Sequence, residues 1–557
     1  MTSMNRLFSL AVLFSILVAA IIIRLFYIQI LRPDTFYSNN YLHTDTITAA
    51  RGEIFDRNGE ALVLNRTTYQ AFALPKKITD KHDFIKKIDG VLKVGEATIE
   101  AKLDMSKEWI PLKSGVSQDD RKKLTAMQLE ALGFDEQSSR FYPESSLAAQ
   151  LLGFVGKDNE GDNTGYFGIE GFYSRDLSGL PGLFLTERDM LGKPIFVGTQ
   201  DMVTGEDGRD LYLTIDKVVQ HIAKSKLKSG IERFGAKEGC VIIANPKTME
   251  ILALSCLPDY DPDEYFKFSE SYFTNPTITN LFEPGSIFKP LIMAAALNEN
   301  VLKPTDTFNE DGPAVVSGYQ IKTWDDKYAG TITFTRALEK SSNVGMVRTG
   351  ERLGEKKLYS YLQKFGIGES TNIDLQGEVS GYFKPQKDFY KIDYATATFG
   401  QGLVVTPMQM IRAFAALLNG GYIMEPHVVK SLKTDDGHVK EINPKTLRRI
   451  FSDKTSLQIR SMLQQTVEHA EAKWDRPVGY KIGGKTGTAQ VAVEGKYDAS
   501  KTVASFIGFA PVDDPKFVAL VIYKEPKSSP WGSETAAPTF FEIAKELLVY
   551  YNIAPDK

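Results

Sequence analysis

The chain has 557 residues, 66 basic against 70 acidic, a net charge of −4 and 43% hydrophobic residues. That length exceeds what one hydrophobic core serves, so at least two units with cores of their own are expected. The balanced charge, without a long basic run, excludes a nucleic-acid footprint. The six histidines, spread along the sequence, and two cysteines outside any C-x-x-C offer no metal-ligand spacing.

From Leu7 to Ile23 no residue is charged, and if Arg24 snorkels the apolar run continues to Leu31, enough for the roughly 20 residues of a spanning helix. Ala19-Ala20 is followed by Ile21-Ile22-Ile23 rather than a polar mature start, so a retained anchor is preferred to a cleaved signal peptide. The short N-terminal tail, residues 1–6, is placed in the cytoplasm and the large C-terminal part outside it.

Residues 40–200 mix short alternating runs with glycine-rich turns, including "RGEIFDRNG" at 51–59 and "GYFGIEGFY" at 165–173. Asn58-Gly59 is a strong hairpin signal. The charges of Arg51, Glu53, Asp56 and Arg57 are read as a salt-linked structural element between domains rather than as a site. A composition shift at "DMVTGEDGRD", 201–210, marks the candidate boundary to a second domain over 210–557.

Beyond it, Lys217 to Phe234 has helical spacing, "CVIIAN" and "EILALSC" read as a hairpin, and "VASFIGFAPV", "KFVALVIYKE" and "FFEIAKELLVYY" close the chain as two strands and a helix. The order is α+β, with an antiparallel sheet because its connections are too short for crossovers. Cys240 and Cys256 fall opposite each other if the hairpin centres on Thr248. A disulfide suits an exported domain, but two reduced cysteines acting as small apolar residues are the plainer reading.

No G-x-S-x-G occurs and no histidine lies near the best-placed serines, so a Ser-His-Asp hydrolase has little support. "EPGSIFKP", 283–290, instead sets Ser286 and Lys289 three apart at the start of a helix-forming run. Lysine serves as base only if burial and a neighbouring cation lower its pKa from about 10.4 toward roughly 7–8. Lys485 is the candidate neighbour. Pro290 lacks the N–H that would bond the Ser286 carbonyl, leaving that oxygen to another partner.

Alone, S-x-x-K usually marks a solvated helix face. Here it is followed by Ser341-Ser342-Asn343 and Lys485-Thr486-Gly487-Thr488, the order found in penicillin-interacting serine enzymes. "GYKIGGKTGTAQ", 479–490, also matches the phosphate-binding G-x-x-x-x-G-K-[ST], but Pro477 and charges stand where a buried strand should precede it, and a strand-like run follows. The P-loop reading is rejected. Gly487 is read as leaving room for a substrate along a strand edge.

These motifs, with "RGEIFDRNG", "RFYPESSLAAQLLGFVG", "GIEGFY" and "FGQGLVVTPMQM" at 399–410, make the sequence similar to class B penicillin-binding proteins, and the wording around 365–410 resembles their septal, division-type branch. The resemblance implies a transmembrane anchor at 7–31, an elongated mixed α/β pedestal at 40–200 and a transpeptidase domain at 210–557 resembling serine β-lactamases. It further implies a peptidoglycan D,D-transpeptidase without cofactor or metal. Ser286 would be the nucleophile, Lys289 its base, and Ser341 the proton relay. Asn343 would hold Lys289 and the substrate amide. Lys485, Thr486 and Thr488 would receive the terminal carboxylate, with Gly487 between them, and the N–H groups of Ser286 and Thr488 would form the oxyanion hole. Implied partners are stem peptides, β-lactams, the membrane, a membrane glycan polymerase and other division or elongation proteins. An elongation-type transpeptidase, a D,D-carboxypeptidase and a β-lactam sensor share the active-site motifs and stay open. A class A β-lactamase is disfavoured by Ser342, where that class carries Asp. No segment suits a glycan-polymerase domain.

Overall fold

A computed structural model describes residues 3–31, 42–187, 200–493 and 496–555. It divides into two compact units: one comprises Met1–Ala50 with Gly179–Gly208, the other Arg51–Ser178 with Arg209–Lys557. In the first, an apolar helix spans Ser3–Phe26 and continues as one π-helical turn over Tyr27–Leu31. Its segment Leu7–Leu31, mean hydropathy 2.6, is long and apolar enough to cross a membrane. A three-stranded antiparallel sheet of Leu42–Ile47, Gly182–Glu187 and Gln200–Val203 completes this unit.

The second unit is centred on a five-stranded antiparallel sheet: β1 Glu238–Ala244, β2 Ile251–Leu257, β3 Gly483–Val493, β4 Lys496–Ala510 and β5 Phe517–Lys524, ordered β2-β1-β5-β4-β3. Val241 and Ile243 face one core with Phe506, Phe540 and Leu547, while Ile242 and Ala244 face the other with Phe288 and Leu291. Burial on both faces explains the unbroken apolar runs of these strands. Helices α1 Lys217–Phe234 and α6 Ala536–Tyr550 cover the first face. Between them in sequence come α2 Lys289–Asn298, α3 Phe334–Glu339, α4 Asn343–Leu353 and α5 Asp453–Glu468.

Local signals set the ends of α1. The Asp216 carboxylate accepts from Val218 and Val219 N–H, and Gly235 ends the helix with φ +60°. Helix α2 is buried along Lys289–Leu297, as an apolar surface on all sides requires, and it carries Lys289 into the core. Cys240 and Cys256 pair directly across β1 and β2 and are joined by a disulfide with Cα atoms 4.1 Å apart. The reading as reduced cysteines is therefore corrected: opposite positions at this separation bring the two sulfurs together without backbone movement.

The "RGEIFDRNG" stretch forms the expected hairpin, Gly59 N–H closing on Asp56 O at 3.1 Å. Its charges are structural. Arg51 Nε and Arg140 Nε donate to the two oxygens of Glu170 at 2.9 and 2.8 Å, and Arg140 Nη1 donates to Asn65 Oδ1 at 2.8 Å. Glu170 is completely buried, so "RGEIFDRNG", "RFYP" and "GIEGFY" converge on one carboxylate. Asp56 accepts from Lys217 N–H at 3.1 Å, and Arg57 N–H donates to Ile215 O at 2.9 Å. The hairpin thereby caps α1. One further sheet crosses the sequence: Val429–Lys433 pairs with Asp210–Leu213, which pairs in parallel with Ile54–Phe55.

Candidate active site

Ser286 lies in a 3₁₀ turn, Gly285–Phe288, that runs directly into α2. Its carbonyl, which Pro290 cannot reach with an N–H, accepts from Lys289 N–H instead. This i→i+3 bond gives the 3₁₀ spacing in which positions three apart eclipse, as Ser286 and Lys289 are. Two glycines let the turn sit where it does. Gly400 O accepts from Gly285 N–H at 3.0 Å; at φ +77°, a Cβ on Gly400 would fall 2.4 Å from Gly285 O and 2.8 Å from Phe288 Cβ. A Cβ on Gly487 would lie 2.9 Å from Ile287 Cγ2 and 2.5 Å from Ser505 Oγ. The reason for Gly487 is thus amended: the space is taken by the Ser286 turn and the neighbouring strand, not by substrate. The close packing of turn on edge strand sets residues 285–287 against 487–488.

Ser341, Ser342 and Asn343 join α3 to α4. Ser342 N–H bonds Ala337 O at 2.8 Å and Ser341 N–H bonds Leu338 O at 3.2 Å, a Schellman ending with Ser341 at the left-handed position usually held by glycine, φ +55°. Ser342 then caps α4, its Oγ accepting from Gly345 N–H at 2.9 Å while its hydroxyl donates to Glu310 Oε1. A serine in left-handed backbone costs about 1–2 kcal/mol, retained here with a hydroxyl between two lysines. Ser341→Gly is therefore expected to be about 1 kcal/mol more stable than Ser341→Ala in chemical denaturation, with both variants similarly slow in acylation by penicillin.

The lysines converge on that hydroxyl. Lys289 Nζ donates to Ser341 O at 2.5 Å, to Ser341 Oγ at 3.1 Å and to Asn343 Oδ1 at 2.8 Å. Lys485 Nζ, from edge strand β3, donates to Ser341 Oγ at 3.0 Å and to Thr486 O at 3.2 Å. Burial, reinforced by the charge of Lys485 and opposed by Glu310, holds the proton affinity of Lys289 well below that of an ordinary lysine. Burial pushes Lys485 down to about 7. Two amines on one hydroxyl titrate as a pair, and a state with one proton between them supplies a base and a cation together.

Ser286, Ser341, Asn343, Lys485, Thr486 and Thr488 line one cleft of about 460 Å³. Lys289 is fully buried and meets the cleft through Ser341 and Asn343. Ser286 is not joined to this network by a hydrogen bond among the described residues. Over the cleft, Trp324 and Trp531 touch edge to face, centroids 5.4 Å apart. Each is tethered beside a site residue: Asn343 Nδ2 donates to Lys322 O at 3.0 Å, and Gly532 N–H donates to Thr488 Oγ1 at 3.1 Å. Lys485 and Thr486 stand in a strand, not at the helix N-terminus a P-loop needs.

Residues 239–546 match the penicillin binding protein transpeptidase domain, and residues 46–213 match the penicillin-binding protein dimerisation domain. The chain belongs to the penicillin-binding proteins. It is 34% identical to stage V sporulation protein D of Bacillus subtilis over 98% of this chain and 86% of that protein. To the peptidoglycan D,D-transpeptidase FtsI of Buchnera aphidicola it is 31% identical over 99% and 96% of the two chains. The crystal structure of a peptidoglycan synthetase from Bifidobacterium adolescentis superposes with a TM-score of 0.75 at 26% identity, covering 93% of this chain and 98% of that one.

Several residues of this penicillin-binding protein that shape the cleft were not singled out from the sequence. Gly400 sat inside a quoted motif without a reason, which only its contact with Gly285 supplies. Glu310, Trp324 and Trp531 carry no local signal: a lone acid in a short strand and two loop tryptophans look like ordinary surface until the chain folds.

Proposed function

We propose that this penicillin-binding protein is a serine D,D-transpeptidase that crosslinks peptidoglycan stem peptides in septal-type cell-wall synthesis and is acylated by β-lactams. The observation that carries the reading is the hydroxyl of Ser341 held between two buried lysines in the cleft that Ser286 lines. Relatives named as peptidoglycan D,D-transpeptidases support it.

In this mechanism Lys289, neutral, takes the proton of Ser286 Oγ as that oxygen attacks the carbonyl between the two terminal D-alanines. The tetrahedral oxyanion is received by the N–H groups of Ser286 and Thr488, a hole worth about 3–4 kcal/mol per donor. The C–N bond breaks, Ser341 passes its hydroxyl proton to the departing amine and takes in its place the one Lys289 accepted, and D-alanine departs, leaving an ester on Ser286. Asn343 orients Lys289 and the substrate amide, while Lys485, Thr486 and Thr488 hold the terminal carboxylate, with Gly487 between them. An amine of a second stem peptide then attacks the ester carbonyl, forming the crosslink and returning the proton to Ser286.

We further read residues 1–6 as a cytoplasmic tail, 7–31 as a single-pass anchor, 40–200 as a pedestal and 210–557 as the transpeptidase domain outside the cytoplasm, with a membrane glycan polymerase as partner. Labelling membranes with a fluorescent penicillin tests the central claim. Wild type should label and Ser286→Ala should not; equal labelling would remove Ser286 as nucleophile.

A further inference from the structure

Glu310 is a buried carboxylate that the mechanism above does not use. It is 2% exposed, at the end of the short strand Thr307–Glu310, and lines the cleft wall. One oxygen accepts the Ser342 hydroxyl, and the other accepts Ala329 N–H at 3.2 Å. No cation forms an ion pair with it among the described residues. Such a group is expensive to bury, so its place asks for a reason.

The hydrogen-bond chain supplies one. Ser342 sits between Ser341 and Asn343, and its Oγ is committed on both sides, to Gly345 N–H as acceptor and to Glu310 as donor. Glu310 thus pins the residue that joins the left-handed ending of α3 to the first turn of α4. On one side of that joint is the Ser341 hydroxyl between Lys289 and Lys485; on the other is the Asn343 amide on Lys289. Charge points the same way. Lys289 feels two charged groups, Lys485 and Glu310. Of the other charged or titratable groups lining the cleft, Glu339 has a buried side chain but is paired with Arg336 at 2.6 Å and with His469 Nδ1 at 3.0 Å, while Asp325, Lys327, Lys340, Glu471 and Glu534 are partly or well exposed.

We propose that Glu310 is a positioning residue of this site, which locks the Ser341–Asn343 joint through Ser342 and supplies negative charge beside Lys289. With the carboxylate present, Lys289 holds its proton to higher pH; without it, Lys289 gives that proton up more readily. The proposal rests on Lys289 being the base for Ser286.

The test measures acylation of the purified full chain in detergent by a fluorescent penicillin, between about pH 5 and 9. Ser286→Ala is run first: if it labels like wild type, the underlying reading fails, whatever Glu310 does. Glu310→Gln keeps size and hydrogen-bonding capacity but removes the charge, so the protonated amine loses its partner. The acid limb of rate against pH should move down by at least about half a unit, and Glu310→Asp should return it toward wild type. Ser342→Ala, which keeps the Glu310 charge, should slow acylation without moving the limb. A slower Glu310→Gln with an unshifted limb, or a profile identical to wild type, would overturn the proposal. If Glu310→Gln does not fold, Glu310→Asp and Ser342→Ala decide it: both keep the charge and should keep the wild-type limb while Ser342→Ala acylates more slowly, and a limb displaced by about half a unit or more in Ser342→Ala, or an unchanged rate in it, would overturn the proposal.

Discussion

Glu170→Ala should lower unfolding free energy by about 3–5 kcal/mol, because two buried guanidinium groups lose the carboxylate that compensates them. Arg51 and Arg140 are 10% and 5% exposed at their side chains, so water cannot replace Glu170 without opening the fold. The loss is a substantial part of the roughly 5–15 kcal/mol by which proteins are stable. Denaturant midpoints of wild type and variant measure it directly. Glu170→Gln should recover only part, since the amide hydrogen-bonds one arginine but carries no charge. Acylation by penicillin in the surviving folded fraction should stay near wild type, because no hydrogen bond or ion pair joins Glu170 to a cleft residue among the described residues. A variant as stable as wild type would show that the convergence of the three motifs on Glu170 contributes little.

Lys289→Ala is expected to slow acylation of Ser286 by about 10²–10⁴-fold, the usual worth of a positioned base. The time course of fluorescent-penicillin labelling gives the rate, and circular dichroism checks that α2 survives the cavity. In wild type the rate should rise with pH as Lys289 loses its proton. It should fall on the alkaline side as Lys485, pushed to about 7, loses the charge that receives the substrate carboxylate. The same shifts act on stability. In the unfolded chain lysines keep their protons to about 10.4, whereas the folded pair has begun to release them. The unfolded state then binds more protons, so the contribution of these lysines to unfolding free energy rises from about pH 7 to 9. Lys485→Met should flatten that rise.

Much of this was readable from local sequence because the signals were themselves local. Asp216 and Gly235 bracket α1, Asn58-Gly59 turns the first hairpin, and the length and hydropathy of 7–31 suit a membrane helix. The three serine and lysine motifs were readable for a different reason: each is short, and their order is distinctive. What escaped depends on pairs distant in sequence. Val429–Lys433 joins the sheet of Ile54–Phe55 through Asp210–Leu213, and nothing in either stretch anticipates the other. The Cys240–Cys256 bond turned on register, which the hairpin centre gave correctly, and on sulfur chemistry, which composition alone does not decide. Gly487 was singled out correctly as a point of close approach, but what approaches it is the Ser286 turn through Ile287 and the next strand through Ser505, a packing that no local pattern specifies.

The tryptophan contact over the cleft has a practical side. The chain holds four tryptophans, and Trp324, Trp474 and Trp531 all border the cleft, while Trp109 packs on Phe72 and is not among the cleft residues. Three of the four indoles therefore stand at the wall of the reacting volume. The protein carries its own optical reporter: mixing the unlabelled enzyme with a β-lactam or a stem peptide and following the emission in time would resolve arrival, acylation and release without a dye.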